Sequence, residues 1–185
     1  MRAGPLAVSV APVGREIELL RHTDTDGDVL SADGVTAALE IGARLRGGYH
    51  LAVSTGAQRA TQTLACFLAA LGQQVRGGVV VEPGLRSQLE DRWRAAYQKA
   101  GSGALGALRE ADPELVAEDS ERLGAALGRV LGGLPEDGRA LVVGHSPTNE
   151  AAVLGLTGKI VAPLAKGAGV CIVAGDDGYQ VESLE

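Results

Sequence analysis

The sequence predicts an α/β fold: a three-layer α/β/α sandwich around a largely parallel sheet, in a single domain. Short aliphatic runs alternate along the chain with longer segments of helical period, the pattern of parallel strands covered on both faces. The 185 residues suffice for one ordinary domain with a substantial core that needs neither disulfide nor metal. Apolar residues make up 45% and charged residues 22%, as in globular proteins, and the 3% aromatic content leaves the core to Leu, Val, Ile and Ala.

Residues 1–14 are small and apolar, interrupted by Pro5, Ser9 and Pro12, and read as a loosely ordered tail before a domain spanning 15–185. Glu16–Leu20 is a short buried strand that ends at Arg21-His22. Ser31–Arg46 is a helix with Ser31 as N-cap, Val35, Leu39, Ile41 and Leu45 near one face, and Gly47-Gly48 as its stop. Leu51–Ser54 is the next strand. Ala57–Leu71 is a helix that turns Leu64, Phe67, Leu68 and Leu71 inward and stops at Gly72. Val79–Val81 is a third strand, Leu85–Pro113 a less regular region, and Glu118–Leu131 a helix. Ala140–Val143 is strongly β-like and ends at Gly144-His145, and a helix from about Thr148 to Leu156 follows Pro147. Two last strands, Val170–Val173 and Tyr179–Glu182, meet across the Gly175-Asp176-Asp177-Gly178 turn.

Bulk properties exclude several classes. A net charge of -6 argues against a general nucleic-acid binder, although a pocket's local field can still favour an anionic substrate. No segment approaches the roughly 18 uninterrupted apolar residues of a membrane span. Cys66 and Cys171 lie far apart in apolar runs and read as buried free thiols, suited to a reducing cytoplasm.

Three clusters sit just beyond strand ends, the edge of an open α/β sheet at which ligands bind. They are Arg21-His22-Thr23-Asp24-Thr25, the run from Ser54 to Thr63 containing Arg59, and Gly144-His145-Ser146-Pro147. Together they bring two histidines, two arginines and several hydroxyls to that edge. Phosphoryl transfer through a phosphohistidine wants this set. A neutral imidazole is nucleophilic near neutral pH, and arginine forks match phosphate oxygens bidentately. A second histidine adds a donor toward charge on the transferring group.

The clusters resemble those of the histidine phosphatase superfamily, also called phosphoglycerate mutase-like proteins. The first is similar to its Arg-His-Gly signature except at the third position, the second to its Ser-x-x-x-x-Arg-Ala-x-Gln-Thr run, and the third to its late Gly-His. Leu30–Gly34 is similar to the segment opening the family's first helix, and order and spacing agree from about Glu16 to Leu156. The resemblance implies His22 as the nucleophile, with Arg21, Arg59 and His145 binding the phosphoryl group. It implies no cofactor. No metal is expected either, because both histidines come with arginines whose charge opposes a cation. The expected partner is a small phosphorylated substrate, with no nucleic acid or membrane.

Two departures stand out. Thr23 occupies a place usually held by Gly or Ala, and either points away or donates a hydrogen bond. Ser87, in Leu85-Arg86-Ser87, stands where many relatives carry a Glu that protonates the leaving oxygen. Glu82 is the favoured substitute among Glu82, Glu90 and Asp91, beside the reading that none is catalytic. Asp28 falls where many relatives place an Asn that reaches the phosphate; a carboxylate there repels the ligand, so it is left out of the pocket.

Other motifs are decoys. Asp24–Asp28 lacks the Gly and Glu that a calcium loop requires at its sixth and twelfth positions, which hold Val29 and Val35. Gly101–Gly106 has the glycine spacing of a dinucleotide site without a preceding strand. Arg86, Arg92, Arg94 and Lys99, interleaved with Trp93 and Tyr97, read as a solvated helix face or as a cap recruiting an anion. The resulting expectation is a phosphatase. A mutase is the rival, disfavoured by the shortness of 82–139, and a phospholigand-binding domain without turnover is the alternative of a different class.

Overall fold

The computed structural model describes residues 14–184, so the expected tail lies, apart from Gly14, outside the described residues. Eight strands and six helices follow in the order β1 (Arg15–Arg21), β2 (Thr25–Asp26), β3 (Val29–Leu30), α1 (Ala32–Arg44), β4 (Leu51–Ser54), α2 (Gln58–Leu71) and β5 (Val79–Val81). A short 3-10 turn at Pro83–Leu85 precedes α3 (Glu90–Ala100), α4 (Leu105–Ala111), α5 (Pro113–Gly132), β6 (Arg139–Gly144), α6 (Thr148–Thr157), β7 (Gly169–Gly175) and β8 (Gly178–Leu184).

Six strands form one sheet in the order β5-β4-β6-β1-β7-β8. The first four are mutually parallel, β7 runs antiparallel to β1, and β8 runs antiparallel to β7. Successive side chains on a strand point to opposite faces, so each central strand feeds two cores. Ile17, Leu19, Ala140, Val142 and Val53 pack on the side of α3–α6. Leu20, Leu141, Val143 and Ala52 pack on the side of α1 and α2. This is the expected three-layer arrangement.

The elements differ from the sequence expectation in three places. The region 85–113 contains α3 and α4, and α5 starts at Pro113 rather than near 118. In α3 only Trp93 and Ala96 are buried, too few to give an apolar stripe, while Asp112 caps α5 through the amide of Leu115 at 3.0 Å with Pro113 in its first turn. Residues 25–28, in a segment for which the sequence predicts no strand, form the first strand and turn of the β2–β3 hairpin.

The third difference is the inward face of α1. Ser31 caps the helix through the amide of Gly34 as expected, and Ile41 and Leu45 pack half-buried against the core. Gly34, Ala38 and Gly42, however, are the buried residues, while Val35 and Leu39 are 38% and 41% exposed. Backbone proximity decides this. A Cβ at Gly34 would stand 1.9 Å from the Asp24 carbonyl oxygen, and one at Gly42 would stand 2.7 Å from the backbone of Phe67. The same device joins α5 to α6, where a Cβ on Gly155 would lie 1.7 Å from the Ser120 carbonyl oxygen. Cys66 and Cys171 are free thiols, Cys171 buried and Cys66 only partly so.

Candidate active site

The parallel strands β1, β4 and β6 end side by side, and their ends hold the three clusters. The His22 amide donates to the Gly144 carbonyl at 3.0 Å and the Arg21 amide to Ala168 at 2.9 Å, fixing the chain as it leaves β1. Asn149, in the first turn of α6, clips the two strand ends together. Its Nδ2 donates to the Leu20 carbonyl at 3.0 Å, and its Oδ1 accepts from the His145 amide at 3.1 Å. Gly144 is required beside it, because a Cβ there would stand 2.2 Å from that oxygen.

His22 is 7% exposed, and its Nδ1 lies 2.7 Å from the Thr23 carbonyl oxygen. A carbonyl can only accept, so Nδ1 carries the proton of the neutral ring and Nε2 carries the lone pair. Burial holds the imidazole below its ordinary pKa. The Thr23 carbonyl opposes that shift, and the charges of Arg59, Arg21 and Lys166 add to it. Thr23 itself is turned from the site, its hydroxyl donating to the Gly34 carbonyl at 2.8 Å.

The His145 ring lies 5.3 Å from that of His22, centroid to centroid, tilted by 60°. Its Nε2 is 2.9 Å from the Thr55 hydroxyl, while Nδ1 is buried with no partner among the described residues. Burial, then Arg59, His22 and Arg86, push its pKa down to about 3, so the free site holds a neutral ring.

Arg59 enters from the first turn of α2 and pairs through Nη1 with Asp28 Oδ1 at 2.5 Å. Asp28 does not line the cavity beside Arg59 and His145, but the β2–β3 hairpin lays its carboxylate on the guanidinium that the resemblance assigns to phosphate. Arg21 donates from Nη1 to the Leu164 carbonyl at 2.8 Å, and its Nε is buried without a partner among the described residues. Leu164 is in turn held by Glu150, a fully buried carboxyl that accepts from the Leu164 amide at 2.7 Å and the Ser146 hydroxyl at 2.5 Å. Burial raises the pKa of Glu150.

His22, Arg21, Arg59 and His145 thus converge, and Glu82 does not join them. Its carboxylate accepts from the Gly84 amide and from Arg129 Nη2, both at 3.0 Å, capping the 3-10 turn. The expectation that Glu82 faces the reacting group is corrected accordingly, because the local turn and Arg129 satisfy the carboxylate first. Ser87 donates at 2.5 Å to Asp119, a fully buried carboxylate that also accepts from the Trp93 indole at 2.6 Å and pairs with Arg122. Glu90 does line the cavity of about 500 Å³ that opens beside Arg59 and His145, ion-paired at 3.0 Å with Arg86, whereas Asp91 does not line it.

Sequence reasoning misses Thr55, Asn149 and Glu150. Thr55 is within its reach, being inside the second cluster, but nothing local marks Asn149 or Glu150. Among the described residues no three His, Cys, Asp or Glu side chains converge as a metal site requires. No helix among them is long and apolar enough to cross a membrane.

Solved structures share this architecture over nearly the whole chain. A phosphoglycerate mutase from Bacillus anthracis is similar at a TM-score of 0.68 and 21% identity, covering 91% of this chain and 92% of that one. The chain has the phosphoglycerate mutase-like fold. A putative α-ribazole-5'-P phosphatase from Escherichia coli is similar at a TM-score of 0.66 and 18% identity, over 92% and 96% of the two chains. A mycobacterial glucosyl-3-phosphoglycerate phosphatase in complex with VO3 is similar at 0.67 and 19%, over 91% and 98%. No protein-family model and no curated protein matches the sequence.

Proposed function

We propose that this chain is a phosphatase of the histidine phosphatase type, acting on a small phosphorylated substrate through a phosphohistidine on His22. One observation carries the reading: the Thr23 carbonyl fixes the proton of His22 on Nδ1, leaving Nε2 as a lone pair beside Arg59 and His145. In the first step His22 Nε2 bonds to phosphorus as the ester P–O bond breaks, and the leaving oxygen takes a proton from water. In the second, water attacks phosphorus, the P–N bond breaks, and phosphate leaves with the imidazole restored. Arg21, Arg59 and His145 hold the charged oxygens throughout, which is where most of the catalysis of a loose phosphoryl-transfer transition state comes from. A dianion beside His145 opposes the causes of its low pKa and favours uptake of a proton there.

Ser87 and the Arg86-bound Glu90 supply no evident proton donor to the leaving oxygen, so esters with good leaving groups are the favoured substrates. The two free thiols accord with a reducing, cytoplasmic setting. The test is hydrolysis of p-nitrophenyl phosphate by wild type and His22→Ala, with acid-labile, base-stable label on the protein sought after quenching. The expected result is labelled wild type and a loss on the order of 10⁴–10⁶-fold in the variant. Undiminished turnover by His22→Ala refutes the nucleophile. Phosphate binding without any turnover by the wild type would instead make the domain a phospholigand binder, and, with a phosphorylated hydroxy acid as substrate, isomerised ester without free phosphate would make it a mutase.

A further inference from the structure

This chain has five aromatic residues, and two of them, Trp93 and Tyr97, line the cavity beside the phosphate-binding groups. They lie one turn apart on α3. Trp93 is 4% exposed and fixed by its indole N–H to Asp119, so its ring is a rigid wall. Tyr97 is 52% exposed, and its hydroxyl has no partner among the described residues. Phe67 is wholly inside the core and Tyr49 is buried against Glu18, so in an aromatic-poor chain the exposure of Tyr97 at this wall is not matched by core packing.

The same cavity carries Arg86 and Arg94 against one carboxylate, Glu90. Arg86 uses Nε for Glu90 and Arg94 uses Nη1 for Asp91, which leaves the two Nη atoms of Arg86 and the Nε and Nη2 of Arg94 without partners among the described residues. The volume, about 500 Å³, is that of a small-molecule site, and such sites are mostly apolar with a few placed polar groups.

Resting on the phosphatase reading of Arg59 and His145, we infer that the leaving group of the substrate bears an aromatic or heteroaromatic ring carrying a second anionic group. The ring stacks on Tyr97 and Trp93, and the second anion meets Arg86 and Arg94. Stacking supplies affinity largely indifferent to ring substituents, and the guanidiniums select for charge. An aryl leaving oxygen also departs with little proton donation, which fits a site with Ser87 where an acid would serve.

The single tryptophan of the chain, Trp93, reports binding in this cavity by its own fluorescence, with no turnover needed. Inorganic phosphate, propylphosphonate, benzylphosphonate and 4-carboxybenzylphosphonate would be titrated against wild type, Tyr97→Ala and Arg94→Gln. Both substituted side chains are exposed, so folding is kept, and inorganic phosphate binding serves as the check. The expected result is benzylphosphonate bound roughly three- to tenfold tighter than propylphosphonate in wild type, the preference falling to within about twofold in Tyr97→Ala. The carboxyl group should improve binding further in wild type and do so less in Arg94→Gln. Equal affinities of the benzyl and propyl ligands, or a benzyl preference that survives Tyr97→Ala, overturns the inference. Aryl binding that persists while inorganic phosphate fails to bind, and is indifferent to Arg59→Ala, overturns the phosphate reading and leaves the aromatic compartment standing.

Discussion

On the proposed function, Asp28 and a bound phosphoryl group compete for Arg59, and Asp28→Asn removes the competition while keeping the side chain's shape. The carboxylate is about half exposed and 2.5 Å from Nη1 of a guanidinium whose side chain is 24% exposed. Pairs of this exposure are worth about 0.2–1 kcal/mol. A phosphate seated on Arg59 would also lie beside the carboxylate, and two like unit charges about 4 Å apart in water cost about 1 kcal/mol. Together these place the gain at about 1–2 kcal/mol, or roughly five- to thirtyfold tighter phosphate. The assay is the inhibition constant of inorganic phosphate against p-nitrophenyl phosphate hydrolysis, at low and high salt. The difference between wild type and Asp28→Asn should narrow as salt screens the half-exposed carboxylate. Unchanged or weaker phosphate inhibition in Asp28→Asn refutes the competition and makes the ion pair a device that positions Arg59.

The low pKa of His145, about 3 against an ordinary 6.5, means the unfolded chain takes up a proton there before the native one does. Its contribution to stability is therefore intact above pH 6.5 and lost progressively as pH falls toward 3. Urea denaturation of wild type and His145→Asn should diverge between pH 6.5 and 5 by on the order of 1–2 kcal/mol, with the wild type the more pH-sensitive. Glu82→Gln should leave kcat for p-nitrophenyl phosphate within about twofold of wild type, since the carboxylate caps a turn; a loss of about 10² in kcat, the scale of a missing general acid, would return Glu82 to the chemistry. Asp119→Ala should cost about 2–4 kcal/mol in urea denaturation, because the Ser87 hydroxyl and Trp93 indole lose their buried acceptor. A cost under about 0.5 kcal/mol would show that those donors find other partners.

How legible each element is in the sequence depends on how local its cause is. The strands β1, β4 and β6 are readable because strands buried on both faces are continuous aliphatic runs, and the runs end where the sheet ends. Arg21, His22, Arg59 and His145 are legible from the sequence alone because strand ends in this fold class gather at one edge. The helix α3 is not readable, because a helix that buries only Trp93 and Ala96 has no stripe. The inward face of α1 is misread from hydrophobicity, which marks Val35 and Leu39, whereas close approach to Asp24 and Phe67 admits only Gly34 and Gly42.

The alternation of runs, the three clusters and the residue types at strand ends are properties of the chain alone. They determined the layers and which residues gather at the sheet edge, and the resemblance they carry supplied the proposed phosphate-binding set and the choice of His22. Side-chain pairing over long sequence separations is not written in any local pattern. Tertiary structure therefore decided that Asp28 lies on Arg59, that Arg129 takes Glu82 away, that Asn149 clips β1 to β6, and that Asp119 claims Ser87. A carboxylate goes to the cation or donor that the fold brings nearest, and which one that is depends on elements far away in sequence, as Asp28 to Arg59 and Glu82 to Arg129 show.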